Sequence, residues 1–395
     1  MKILRVIDTL DPRTGGPISG VRALSPVLSA LGHETVIVTL DAPGTVADTI
    51  AGARVVALGP ARGSYRFAPA LRAWLDRELP NFDAVFVHGL WQYPGRAVRA
   101  AALAHGIPYF VYPHGMLDPW FRSAYPAKHF KKWIYWQLIE RRVLANAAAV
   151  LFTCEEERRL ARTSFSPYHC VERVVNYGTA GAPPEIAPQR QAWSERCPEV
   201  ADRAYYLFLG RIHPKKGVDL LLHAYRTLAK KNPNVPALVI AGPGGDVAFM
   251  AQLKALCTDL PPGAKVVWPG LLEGNAKWGA LRAAEAFVLP SHQENFGLAV
   301  VEALSVGTPV LLSHQINIWR EIIDDGAGLA REDTVQGTTE LLRSWQAASP
   351  EQRREFRERA AACYERRFTI EAVANSFIAT VEPLLSDRMA RSLCS

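Results

Sequence analysis

Two carboxylates, Glu294 and Glu302, stand eight positions apart in the segment P-S-H-Q-E-N-F-G-L-A-V-V-E-A-L-S-V-G-T-P-V at 290–310. A short apolar strand over 286–289 precedes the first. The second falls inside a helix predicted to begin near Phe296 and to end at Gly307, with Pro309 barring its continuation. Glu294 is thereby placed in the loop at the carboxyl end of a strand, where open α/β sheets bind ligands. The first amides of the helix face the same place and favour an anion such as a diphosphate. Carboxylates beside a phosphate repel it, so the expected partners of this pair are hydroxyl groups, as on a sugar or a ribose.

Cations stand at the corresponding place after an earlier strand. Arg211 and Lys216, five apart in L-G-R-I-H-P-K-K-G-V, lie on a loop that ends at Gly217 before a helix. A guanidinium and an ammonium so spaced make a clamp for a diphosphate, with Lys215 an extra neighbour. Gly15 and Gly16 follow the first strand and precede a helix opened by Pro17, and without side chains they let backbone amides approach a phosphate or a sugar. His114 in Y-P-H-G-M-L and His88 in V-F-V-H-G-L-W-Q each end a predicted strand. Trp91 is read either as a platform for an acceptor or as packing at the rim.

These segments resemble the E-x7-E and G-R-x-x-x-x-K-G signatures of retaining glycosyltransferases of the GT-B fold, family 4 (glycosyl transferases group 1). The resemblance is strongest over 205–220 and 286–313, with support at 1–32 and 108–120. It implies two Rossmann-like domains facing a central cleft, with a C-terminal helix crossing back to the first domain. It also implies a UDP- or GDP-sugar as donor substrate, no cofactor and no metal, in keeping with the lack of an Asp-x-Asp motif. Arg211 and Lys216 would hold the leaving diphosphate, Glu302 the ribose and Glu294 a sugar hydroxyl, and His114 would orient the donor. Gly15, Gly16, Gly242, Leu271, Asn295, Phe296, Gly297 and Leu298 would complete the donor site. His88, Trp91, Trp120, Lys131 and Lys132 are the expected acceptor-side residues. Where relatives read P-N-G-V, this chain reads V-N-Y-G-T, with Tyr177 between Asn176 and Gly178.

Alternating elements must position these residues. Strands are predicted at 3–7, 35–40, 84–87, 109–112, 150–153 and 173–176, with helices between, and this order implies a parallel sheet. In the helix after Pro17, Val21, Leu24, Leu28 and Leu31 share one face, and Gly32 closes it. A Pro-, Ala- and charge-rich break over 181–203 reads as a linker. A second series follows, with strands at 205–209, 237–241, 265–268, 286–289 and 309–312 and a helix at 218–228. The predicted domains are therefore 1–180, joined by a helix at about 370–390, and 204–368.

The 395 residues suffice for two full cores. Hydrophobic content of 49% and charged content of 21% are those of a globular chain, and no apolar run is long enough to span a bilayer. The amino-terminal residues reach charge too early for a secretory signal, and the six scattered cysteines suit neither a disulfide framework nor a zinc site. A cytoplasmic protein is expected. The net charge of +7 finds an outlet in 118–142, where Arg122, Lys128, Lys131, Lys132, Arg141 and Arg142 mix with Trp120, Phe121, Phe130, Trp133, Tyr135 and Trp136. Such a mixture suits a membrane interface, single-stranded nucleic acid, or plain packing of the rings. The membrane reading gives a peripheral enzyme with a lipid-linked oligosaccharide acceptor, as in bacterial surface polysaccharide synthesis, and no nucleic acid. The rival readings are a soluble small-molecule acceptor and a basic nucleic-acid-binding protein.

Overall fold

Runs such as Tyr205–Leu209 and Ala237–Ala241 are apolar at every position, the pattern of strands covered on both faces, and every residue in them is buried. The computed structural model describes residues 1–11, 15–47, 49–232 and 234–393, with side chains as far as 386. One sheet contains β1 (Lys2–Ile7), β2 (Glu34–Thr39), β3 (Thr49–Ile50), β4 (Ala53–Ala57), β5 (Ala84–His88), β6 (Tyr109–Tyr112), β7 (Ala149–Phe152) and β8 (Glu172–Val174). Its order is β3-β4-β2-β1-β5-β6-β7-β8, parallel except for the short β3–β4 pair. A second, wholly parallel sheet contains β9 (Tyr205–Leu209), β10 (Ala237–Ala241), β11 (Val266–Gly270), β12 (Ala286–Leu289), β13 (Val310–Ser313) and β14 (Gly328–Arg331). Its order is β11-β10-β9-β12-β13-β14. Strands β3, β4 and β14 lie outside the sequence expectation, because β3 is only the dipeptide T-I and the short segments A-R-V-V-A and G-L-A-R are each interrupted or ended by an arginine.

The chain forms two compact units, Met1–Thr179 with Ile370–Ser395, and Ala180–Thr369. The terminal helix Ile370–Leu393 belongs to the first unit, where Val373, Ala374, Phe377 and Val381 join a core with Ile3, Leu28, Phe86 and Phe110. Residues 181–203 are not a linker. They contain the helix Ile186–Arg196, whose buried Gln189 and Trp193, four apart, face the helix Gly274–Ala283 of the second unit. A Cβ at Gly279 would lie 2.1 Å from the Gln189 carbonyl, so the absent side chain permits the contact. Only this narrow strip is buried, which is why the segment reads as polar and irregular. Five of the six cysteines are free thiols, and Cys394 lies outside the described residues.

Both sheets reverse direction of winding at their first strand. β1 has β2 on one side and β5 on the other, and β9 stands likewise between β10 and β12. The loops after β1 and β5, and after β9 and β12, therefore leave the sheets at switch points, where a parallel sheet opens a crevice at its carboxyl edge.

Candidate active site

In the second unit the switch point brings the cationic loop and the first carboxylate together. Gly217 adopts φ +66°, and a Cβ there would meet the Pro290 carbonyl at 2.1 Å. This glycine seats the 214–217 turn on the loop after β12, and the His292 amide donates to the Lys215 carbonyl across the same junction (2.9 Å). The Lys216 ammonium consequently rests on the Glu294 carboxylate, with both side chains about one-fifth exposed (18% and 19%). Burial, then the charges of Lys215 and Arg211, pushes the Lys216 ammonium down to about 7, an effect the Glu294 contact opposes. Arg211 is exposed on the same loop.

Glu294 is fixed through its backbone as well. Its amide donates to the Gln315 carbonyl (2.9 Å), and its carbonyl accepts from the Asn317 amide (3.0 Å). Gly297 takes φ +76° and starts the helix Leu298–Ser305, two residues later than the sequence suggests. Gly307 and Thr308 close that helix, their amides donating to the Leu304 and Ala303 carbonyls, a Schellman ending. Glu302 lies on this helix and accepts from Lys277 Nζ at 2.8 Å. Each carboxylate thus has a lysine partner, which sequence spacing did not indicate. Asn295 accepts from Asn317 Nδ2 (3.3 Å), Phe296 is buried against Phe368, and Leu271 is exposed. Gly242, at φ +141°, lies so close to the Gly210 carbonyl that a Cβ would sit 1.9 Å from it. That contact draws the loops after β9 and β10 together.

In the first unit a chain of rings ends β5 and β6. His88 Nδ1 lies 2.9 Å from His114 Nε2, and His88 Nε2 lies 3.3 Å from Arg5 Nη1. Burial pushes His114 down to about 3, with the Arg5 charge adding to it, and takes His88 well below its usual value, so both imidazoles are neutral near neutral pH. His114 adopts φ +50°, and the following Gly115 amide donates to the buried Glu157 carboxylate (2.6 Å). Glu157 also accepts from the Thr153 amide and hydroxyl (2.7 Å each). Tyr177, the departure from the family pattern, donates from its hydroxyl to the Gly16 carbonyl (2.7 Å) and meets His114 edge-on at 6.1 Å. It fills the notch left by Gly20, where a Cβ would be 1.9 Å from its hydroxyl. Gly15 caps the helix Gly16–Ala30 at φ +113°.

The expected acceptor-side residues separate. His88 is buried behind His114 and supports it rather than facing an acceptor. Trp91, at φ +70°, is half-buried against Trp136 and Phe165, and the Lys132 ammonium stands 4.7 Å over its ring. The Trp91 amide donates to Glu140 (3.2 Å), a buried carboxyl pushed up to about 8 by desolvation. Trp120 is half-buried and meets Phe121 and Tyr125 edge-on. Lys131 lies on the helix Pro126–Tyr135, no residue of which is buried. On and just beyond that helix, Phe130 (63%), Trp133 (44%) and Leu138 (63%) are exposed, next to exposed Lys128 and Lys131. Among the described residues no group of three or more His, Cys, Asp or Glu side chains is placed to hold a metal, and no helix is long and apolar enough to cross a membrane.

Two Rossmann-like units with these switch-point loops define the GT-B fold. The structure superposes on sucrose-phosphate synthase from Thermosynechococcus elongatus with a TM-score of 0.73 and 17% identity, covering 98% of this chain and 100% of that one. HepE from Anabaena, in complex with UDP and glucose, gives 0.72 and 15%, covering 97% and 100%. Residues 189–362 match the family Glycosyl transferases group 1, and residues 15–177 match Glycosyl transferase 4-like domain. The chain belongs to this glycosyltransferase family. It is 25% identical over 396 residues to the GDP-mannose-dependent alpha-(1-6)-phosphatidylinositol dimannoside mannosyltransferase of Mycobacterium tuberculosis, covering 96% of each. It is 30% identical over 228 residues to the D-inositol 3-phosphate glycosyltransferase of Kineococcus radiotolerans, covering 53% of this chain and 50% of that protein. The chain thus spans about half the length of such inositol-phosphate relatives.

Proposed function

We propose that the protein transfers a hexosyl group from a UDP- or GDP-sugar to an acceptor hydroxyl, with retention at the anomeric carbon and without a metal ion. The observation that carries this reading is the Lys216–Glu294 pair, seated at the switch point of the second sheet with Arg211 on the same loop. As the bond from the sugar to the diphosphate breaks, negative charge grows on the leaving oxygens. Fixed cations at that place stabilise the transition state more than the ground state. Glu294 then takes a sugar hydroxyl and Glu302 the ribose, Gly242 and Leu271 border the nucleoside, and His114 donates to a substrate hydroxyl. The acceptor is a lipid-linked oligosaccharide of a surface polysaccharide. Two observations favour it over a soluble acceptor: the exposed aromatic and basic face around the helix Pro126–Tyr135, and the full-length similarity to an enzyme named for a phosphatidylinositol substrate. Rings at headgroup depth with lysines beside them bind anionic bilayers as a peripheral protein does.

The test is a thermal-shift screen against UDP, GDP, ADP and their sugar conjugates in the presence of EDTA. A donor at about one hundred times its Kd adds about 2.7 kcal/mol to the unit that binds it, or roughly 5–10 °C. One nucleotide series is expected to shift the transition. A folded protein that none of them shifts would refute the donor assignment.

A further inference from the structure

Arg5 is an unusual residue for the central strand of a parallel sheet. It is 1% exposed, its guanidinium lies over the rings of Phe86 (5.5 Å) and Phe377 (5.1 Å), and among the described residues no carboxylate is paired with it. Taking a guanidinium out of water is costly, and a residue kept only for packing would be apolar here, as Ile3 and Ile7 are on the same face of β1. Its one hydrogen bond to a side chain among the described residues goes to His88 Nε2. A guanidinium has donors only, so His88 Nε2 must be the acceptor in that contact. Neutral His88 then carries its proton on Nδ1 and donates it to His114 Nε2. His114 Nε2 is left without a proton, and its own proton must be on Nδ1. The nearly parallel rings of Tyr112, His88 and His114, with centroids 5.0–5.5 Å apart, keep the two imidazoles from turning.

We propose that Arg5 is a positioning residue for glycosyl transfer, which sets through His88 the tautomer of His114 so that His114 offers an Nδ1–H donor to the substrate. The proposal rests on the role given to His114 above. It explains why a charge is buried with one imidazole as its partner: an obligate donor at one end of the relay removes the choice of tautomer at the other. A hydroxyl in that position, able to donate or to accept, would leave the relay free to run in either direction.

Long-range 1H–15N spectra of the full chain labelled with 15N-histidine test it, with His88→Gln and His114→Gln variants assigning the signals. The expected result is a protonated Nδ1 and a bare Nε2 on both residues. Arg5→Met should convert the pair to a mixture of tautomers and lower kcat roughly 10- to 100-fold, the effect of one transition-state hydrogen bond, with nucleotide-sugar affinity unchanged. Arg5→Lys, which keeps an obligate donor, should recover part of that loss. A wild-type His114 protonated at Nε2 would overturn the proposal, and that result does not depend on any Arg5 variant folding. So would an Arg5→Met protein that keeps the wild-type tautomers, or one that loses them at full kcat. A wild-type protein that binds no nucleotide sugar would instead defeat the proposed function, leaving the tautomer result standing.

Discussion

Nucleotide-sugar binding should draw protons from solution above neutral pH, and Lys216 is the group that takes them up. Its free-state pKa is held down to about 7 by burial and by Lys215 and Arg211. At that value about nine-tenths of the molecules carry the ammonium at pH 6, and about one-tenth at pH 8. A bound diphosphate adds two negative charges beside the nitrogen and restores the proton. Uptake on binding is therefore about 0.1 proton at pH 6 and about 0.9 at pH 8, and affinity falls about tenfold across the same interval. Calorimetric titrations in buffers of different ionisation enthalpy measure this directly. A nucleotide sugar is the correct ligand because its diester phosphates do not titrate in this window. In Lys216→Met the uptake should vanish and the residual affinity should lose its pH dependence. Equal, near-zero uptake at pH 8 in both proteins would refute the reasoning, since it would mean that Glu294 already keeps the ammonium protonated. The sign for stability is also fixed. A lysine whose folded pKa lies below its unfolded value of about 10.4 leaves the unfolded chain with more protons between the two values, so its contribution to stability rises with pH from about 7 to about 10 and its full penalty is present below 7.

Two further outcomes follow from the geometry. Gly217→Ala places a Cβ 2.1 Å from the Pro290 carbonyl at φ +66°, and should cost the protein about 2 kcal/mol or more in urea unfolding, since both strain and clash act there. A loss below about 0.5 kcal/mol would show that the turn is not seated as described. Replacing Phe130 and Trp133 together by serine should abolish co-sedimentation with vesicles rich in phosphatidylglycerol while changing the melting temperature little, because neither residue is part of a buried core (63% and 44% exposed). Retained co-sedimentation would move the lipid-binding surface elsewhere.

Much of the framework could be read from the chain because its buried strands are apolar runs between loops with Gly and Pro. Four strands begin and end at the residues expected, among them Tyr109–Tyr112 and Ala286–Leu289. The partners could not be read. Nothing in K-I-L-R-V-I distinguishes Arg5 as the start of a relay, because the contact that matters is 83 positions away. Glu157 sits in E-E-E-R-R, which resembles an ordinary solvated helix start, yet it holds the turn carrying His114. Glu302 and Lys277 are 25 apart on different helices, so no local periodicity joins them. The helix Ile186–Arg196 was hidden for a different reason. Its burial depends on a missing side chain at Gly279, ninety positions after Gln189, which no reading of the helix itself contains.

The pairing of each carboxylate with a lysine also bears on how the second unit would choose its ligand. A carboxylate alone beside a phosphate site weakens binding by repulsion, and a lysine alone would take any phosphate. Joined, as Lys277 is to Glu302 and, below about pH 7, Lys216 is to Glu294, they offer little net charge until a ligand separates them. A bare diphosphate that captures Lys216 leaves Glu294 half-buried with its partner withdrawn, at a cost of about 1–3 kcal/mol for an unsatisfied polar group. A nucleotide sugar brings the phosphate for Lys216, a sugar hydroxyl for Glu294 and a ribose hydroxyl for Glu302 in the same molecule, so neither carboxylate is left without a partner. In the proposed reading the lysine–carboxylate contacts present before binding therefore discriminate against phosphates without hydroxyl groups. The selectivity comes from what an incomplete ligand would leave unpaired, which is a larger difference than the about 0.5–1.5 kcal/mol of one added hydrogen bond.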